Sequence, residues 1–224
     1  MTALILMRLA AFIRTGRFIP PLIAALVLLG ILYGGGQAAI AEAYGVSALM
    51  MFPILAWQTK LLLDTEPDVQ RRMALVALRS RRREAVGGMT AAAVVAVPVV
   101  LIAMALPWIV DAVQPVDVGA GLLLGFWAHL IVIPPALALG ALSSRVVAGT
   151  AGRAAAILTG GIILALVLGL HGSPVPWLAP PLVSTARSLA QGVTGAPLVG
   201  LTAWALVWAA VALAGYGWLR RARS

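Results

Sequence analysis

The chain has 224 residues, 62% of them hydrophobic and 10% charged, with a formal net charge of +9 and no cysteine. Soluble domains carry about a quarter charged residues, so this composition, with a mean hydropathy of +1.03, points to an integral membrane protein. It excludes disulfides, thiolate zinc sites and cysteine nucleophiles, and its basic residues are read first as markers of membrane sidedness.

Residues 1–18, "MTALILMRLAAFIRTGRF", lack a basic stretch before the apolar run and carry arginines where a signal core would continue, so they do not read as a secretory signal. They predict a short helix at the inner membrane surface. Arg14 and Arg17 share one face, and Leu6, Leu9 and Ile13 form the apolar side. The plainer alternative is an extension of the first span.

Six apolar segments follow, near 20–39, 45–63, 85–110, 119–142, 154–170 and 198–219. Each is long enough to cross a hydrocarbon core of about 30 Å at about 1.5 Å per residue. The predicted fold is all-α: six transmembrane helices, an interfacial N-terminal helix, a polar helix between spans two and three, and an outer segment before span six that re-enters the membrane or lies on its surface.

Fifteen of the sixteen basic residues fall on one side of this arrangement, and only Arg187 falls on the other. The positive-inside rule then places both termini and the 64–84 insert in the cytoplasm. Fifteen Arg against the single Lys60, with abundant Ala, fits a GC-rich bacterial genome and hence a bacterial inner membrane. Gly87-Gly88 and Gly160-Gly161 permit close helix approach, within the chain or in a dimer.

The insert, "DTEPDVQRRMALVALRSRRRE", holds six of the arginines and four of the seven acids. Thr65 and Asp68 have capping-box spacing, and Pro67 suits a first helical turn. Asp64, Glu66 and Asp68 crowd the start while Arg79, Arg81, Arg82 and Arg83 crowd the end, an order that complements the helix dipole. Val69, Met73, Val76 and Ala77 make a narrow apolar side, with Leu78 pointing away from it. Ser80 is placed to cap the next span. The helix reads equally as an interfacial lipid anchor and as a docking helix for a soluble partner.

Beyond the insert, the outer loop at 171–197 predicts a helix opened by Pro180-Pro181, running to Gln191 and stopped by Gly192. It re-enters the bilayer edge if protein covers its backbone; the plainer alternative is a surface loop.

The order surface helix, two spans, polar amphipathic helix and four spans with a long last outer loop resembles ATP-binding-cassette (ABC) exporter permeases. It is most similar to the drug-, polysaccharide- and haem-export class, whose six-span permease is a separate chain. Within the first cytoplasmic loop of that class, an acidic helix start and leucines precede Pro-x-Ser-Arg, then about five residues and Gly-Lys. Here Asp64 and Glu66 precede "MALVAL", then Leu78-Arg79-Ser80-Arg81 and, five residues on, Gly87-Gly88. Ser80, Arg81 and Gly87 match; Leu78 replaces the proline, Gly88 the lysine, and the early Gly-Thr is missing. The resemblance implies that the insert is a coupling helix, carried by Asp64, Glu66, Asp68, Met73, Val76, Leu78, Ser80 and Arg81. It also implies an ABC ATPase subunit as partner and a homodimer or a heterodimer with a related permease.

The chain has no G-x-x-x-x-G-K-[ST] loop, so ATP and Mg would sit on that ATPase, with no cofactor on this chain. Ion-coupled carriers tend to keep ionisable groups within spans, and here His129 is the clear case. It reads as a substrate contact, a proton relay, or a neutral imidazole bonded to a neighbouring helix. Trp57 and Gln58 join it as candidate pathway residues, and Lys60 with Asp64 one turn on reads as a structural pair at the span end. Pro53, Pro98, Pro134 and Pro135 fall within spans. No catalytic set, metal-ligand set or nucleic-acid surface is discernible in the sequence. The alternatives to the exporter are an ATP-independent ion-coupled carrier or channel, and a membrane scaffold recruiting a soluble partner.

Overall fold

The computed structural model describes residues 1–222, apart from the side chains of Asp68 and Arg72. It is all-helical but for one two-residue strand pair. Helices α1 (Thr2–Arg14) and α2 (Ile19–Tyr33) are followed by β1 (Ala38–Ala39), α3 (Ile40–Leu63), α4 (Asp68–Leu78) and α5 (Arg81–Ile109). Then come β2 (Val113–Gln114), α6 (Val118–Leu142), α7 (Arg145–Ala148), α8 (Ala151–Leu168), a 3-10 turn (Pro176–Leu178), α9 (Leu182–Ala190) and α10 (Ala196–Ala222).

Among the described residues, five helices, α3, α5, α6, α8 and α10, are long and apolar enough to cross a membrane; a sixth is reached only if α1 and α2, bent by 71°, are taken together. By itself α2 has 15 residues, roughly 22 Å of helix against a core of about 30 Å. The predicted first segment, 20–39, is therefore too long: Tyr33 ends the helix at the glycine run, and Ala38-Ala39 turn aside to pair in parallel with Val113-Gln114. The second segment gains what the first loses, since α3 starts at Ile40, ahead of the expected residue 45.

The α3–α6 pair is the centre of the bundle. Gly125 stands against the Tyr44 ring and Gly121 against Ile40, so closely that a Cβ at either position would collide. This contact, with α2 and α5 alongside, buries Leu29, Met51, Phe52, Leu55, Val99 and Val132 in one core. Tyr44 Oη donates to the Met104 carbonyl at 2.7 Å and accepts from Trp108 Nε1 at 2.8 Å, tying α3 to α5. Trp127 Nε1 donates to Thr202 Oγ1 at 2.9 Å, tying α6 to α10.

The outer-loop helix forms close to its predicted bounds, and Gly192 follows it with φ +67°. Its face of Leu182, Thr185, Ala186 and Leu189 is buried, and Gly45 of α3 lets the Ala186 backbone approach. Protein therefore covers one side of α9, as a re-entrant segment requires. Gly87-Gly88 and Gly161 lie close against other elements of the chain, α1 and Leu139 of α6, whereas a Cβ at Gly160 would point into open space.

Candidate functional site

The basic residues do gather at one end of the bundle, and ion pairs show it. Glu84, in the first turn of α5, accepts from Arg8 of α1 and pairs with Arg220 in the last turn of α10. Arg8 also donates from Nε (3.1 Å) and Nη2 (2.7 Å) to Glu66 Oε2, in the turn before α4, and from Nη1 to the Glu84 carbonyl (3.2 Å). Arg8, Glu66, Glu84 and Arg220 are all buried. Alongside, Asp64 pairs with Lys60 at 2.9 Å, takes the Arg145 N–H on Oδ1 at 2.8 Å, and offers its carbonyl to Arg17 and Arg145. Arg187 lies at the opposite end, 3.2 Å from His171 Nδ1.

Helix α4 runs for 11 residues, about three turns, but is capped differently from the expectation. Pro67 occupies the N-cap, with no side-chain cap bond, and Thr65 donates back to the Leu61 carbonyl of α3. The capping box is therefore absent, because Thr65 closes the preceding helix. The side chain of Asp68, at the first residue of α4, lies outside the described residues. Arg79, at φ +50°, ends α4, and Ser80 accepts from the Arg83 N–H to start α5. Arg81, Arg82 and Arg83 thus open α5 instead of closing α4, and of the four arginines only Arg79, its C-cap, stays at the α4 C-terminus. Glu66 and Asp64 likewise serve Arg8, Lys60 and Arg145 instead of the α4 dipole.

Of the eight coupling residues implied by resemblance, Asp68, Met73, Val76 and Leu78 lie on α4, Asp64 and Glu66 precede it, and Ser80 and Arg81 follow it. The helix turns a half-buried stripe of Arg71, Leu75 and Leu78 toward the bundle, which removes Leu78 from its outer face. Val69, Met73 and Val76 face outward, 63%, 65% and 76% exposed. Beside them runs a trough of about 830 Å³ between α1 and α4, lined by Met7, Ala10, Ala11, Arg14, Gln70 and Met73. The surface is therefore built from two helices, and α1 is the part that sequence reasoning missed.

The inner face of α1 also differs from expectation. Leu4, Arg8 and Phe12 are buried, at i, i+4 and i+8, while Leu6 and Ile13 are exposed. Gly88 makes room for the Arg8 guanidinium, which a Cβ would strike. The signal in the sequence is one arginine on an otherwise apolar helical stripe.

The three candidate pathway residues separate. Trp57 lines a groove of about 440 Å³ between α2, α3 and α8, together with Lys60 and Thr159. Gln58, next in sequence, faces a different cavity, against α1 and α5. His129 is 1% exposed, enclosed within the α3–α6 contact. Its Nδ1 lies 2.8 Å from the Gly125 carbonyl and donates there, and its Nε2 lies 3.1 Å from Ser47 Oγ, which also reaches the Tyr44 carbonyl at 3.2 Å. The Tyr44 ring meets it edge-on at 5.9 Å. The ring is thus bonded to Ser47 of the neighbouring helix α3.

No family model, no curated protein and no solved structure matches the chain.

Proposed function

We propose that this chain is the membrane-spanning permease subunit of an ABC exporter, seated in a bacterial inner membrane with both termini cytoplasmic. One observation carries the reading: Val69, Met73 and Val76 of α4 turn their apolar side chains away from the bundle, at the end that gathers the basic residues. Exposed apolar groups rimmed by polar ones mark an interaction surface. Behind this surface, Glu66 anchors the start of α4 to Arg8, which also holds Glu84 at the start of α5. A push on α4 is therefore delivered to a long helix rather than absorbed by a slack loop.

In this reading the ATPase subunit, carrying ATP and Mg, seats on α4 and the adjoining α1 trough. The bent α1–α2 pair, taken together, counts as the first of six spans, and α9 re-enters the outer leaflet. Two such subunits, identical or related, bring about twelve spans around the path. The Trp57 groove, largely apolar with Lys60 at one end, suits a hydrophobic or amphipathic substrate.

The test is co-purification of an ATPase with the full chain, and the dependence of its ATP turnover on substrate. Met73→Asp or Val76→Asp is expected to abolish both while leaving the membrane bundle folded. ATPase binding and coupling unchanged in both variants overturns the assignment.

A further inference from the structure

The groove beside Trp57 joins an apolar wall to an excess of positive charge. Leu28 of α2, Ile54 and Trp57 of α3, and Ala155, Thr159 and Ile162 of α8 line it, with Lys60 at one end. Ala155 and Thr159 are exposed, so the groove opens sideways along the flank of α8 instead of into the bundle.

Lys60 Nζ carries three N–H donors, and among the described residues one acceptor meets it, Asp64 Oδ2 at 2.9 Å. That carboxylate is shared. Its Oδ1 takes the Arg145 N–H at 2.8 Å and lies 4.0 Å from Arg145 Nε. The Asp64 carbonyl accepts from Arg17 Nη1 at 2.6 Å and from Arg145 Nη2 at 2.9 Å. Three cations therefore converge on one carboxylate. The C-terminus of α3 adds only about half a negative charge, so the balance stays positive by more than one charge. Arg17 precedes the α2 wall and Arg145 precedes the α8 wall, which puts cations on both sides of the groove's end.

We infer that this groove holds one acyl chain of an anionic phospholipid, with the phosphate on Lys60 and the two arginines. Phosphate oxygens accept from the unused Lys60 donors and from guanidinium groups in charge-assisted bonds. Lys60 lies three residues before the α3 end at Leu63, roughly 5 Å of helix, so its ammonium reaches the headgroup level of the leaflet at this end. The chain then runs past Trp57 and Ile54 toward the bilayer centre. A zwitterionic lipid brings its own cation and leaves the excess uncancelled; a soluble anion leaves the apolar wall uncovered. The inference uses neither α4 nor a partner subunit, so lipid selectivity and ATPase capture fail separately.

The experiment reconstitutes the full chain in phosphatidylcholine vesicles doped with a phospholipid bearing a diazirine on one chain. Phosphatidylglycerol and phosphatidylcholine forms of the probe are compared, and crosslinked residues are mapped by mass spectrometry. Val207 and Val211, exposed on α10, report lipid that merely surrounds the chain. The phosphatidylglycerol preference at Ala155, Thr159 and Ile162 is expected to exceed that at α10 about tenfold, as an excess of this size gives at an anionic headgroup. Lys60→Gln is expected to bring the two preferences together. Equal preference at the groove and α10 in the parent protein, as when the cations only mark sidedness, overturns the inference. So does a preference that survives Lys60→Gln, labelling that spares the lining, or an equal loss in Arg153→Gln, whose side chain is exposed and outside the groove. Should Lys60→Gln fail to fold, Thr159→Trp decides, because it fills the groove from its exposed wall and leaves the cations in place. The preference at Ala155 and Ile162 must then fall to that of α10, and its persistence overturns the site.

Discussion

Arg8 and Glu66 lie 58 positions apart in sequence and meet in a buried pair, with both Nε and Nη2 of the arginine on Glu66 Oε2. Because the same guanidinium also holds Glu84, three separate segments converge on one side chain. Removing one member of a buried ionic group leaves its partners charged and unsolvated.

Arg8→Met is therefore expected to cost about 3–5 kcal/mol of stability. Arg8→Met combined with Glu66→Leu should cost less than the two single changes added, because the uncompensated charge is removed with its partner. Thermal unfolding of the four proteins in one detergent gives the cycle; strict additivity would contradict the pair.

Gly88→Ala tests the space around that guanidinium. A Cβ there meets Arg8 Nη1 and Leu63 of α3. Overpacking of this kind costs about 1–3 kcal/mol, and it should weaken a crosslink between cysteines placed at Leu4 and Gly87, which face each other. Gly152→Ala is the control. It is helical in α8 with open space around it, so alanine there should be neutral or stabilising by up to about 1 kcal/mol.

Met73→Asp and Val76→Asp should leave stability within about 0.5 kcal/mol, since both side chains are exposed. A Tm matching the parent, together with lost ATPase capture, separates a docking role from a packing role. A large fall in Tm would show instead that these residues support the bundle.

His129→Leu should destabilise by about 1–3 kcal/mol, because the buried bonds from its ring to the Gly125 carbonyl and Ser47 Oγ are lost. Ser47→Ala should cost about 1 kcal/mol, and the double variant less than the sum. A proton relay would behave differently: stability would hold while transport changed its pH profile.

Much of the helix plan was legible because apolar length and charge sidedness are local properties of the chain. The six apolar runs correspond to α2, α3, α5, α6, α8 and α10, and Ser80 and Gly192 punctuate where their residue types suggest. The failures fall where a residue had two partners to choose from. Thr65 can cap the helix after it or close the helix before it, and sequence spacing cannot weigh those outcomes. Arg81–Arg83 read as a helix end until Arg79 adopts a left-handed conformation and starts a new helix beyond Ser80.

By itself, then, the sequence determined an all-helical membrane bundle, the end at which its cations collect, and a polar helix at 68–78 with an apolar side. Each follows from periodicity, hydropathy and desolvation cost along a short stretch. Only the tertiary structure decided that Arg8 faces inward to Glu66 and Glu84, that Trp57 and Gln58 serve different cavities, and that Gln58 Oε1 is left without a protein donor. These depend on which helices lie side by side, set by close contacts such as Gly125 on Tyr44 and Gly88 beside Arg8. Such contacts join residues tens of positions apart, beyond the reach of any local pattern.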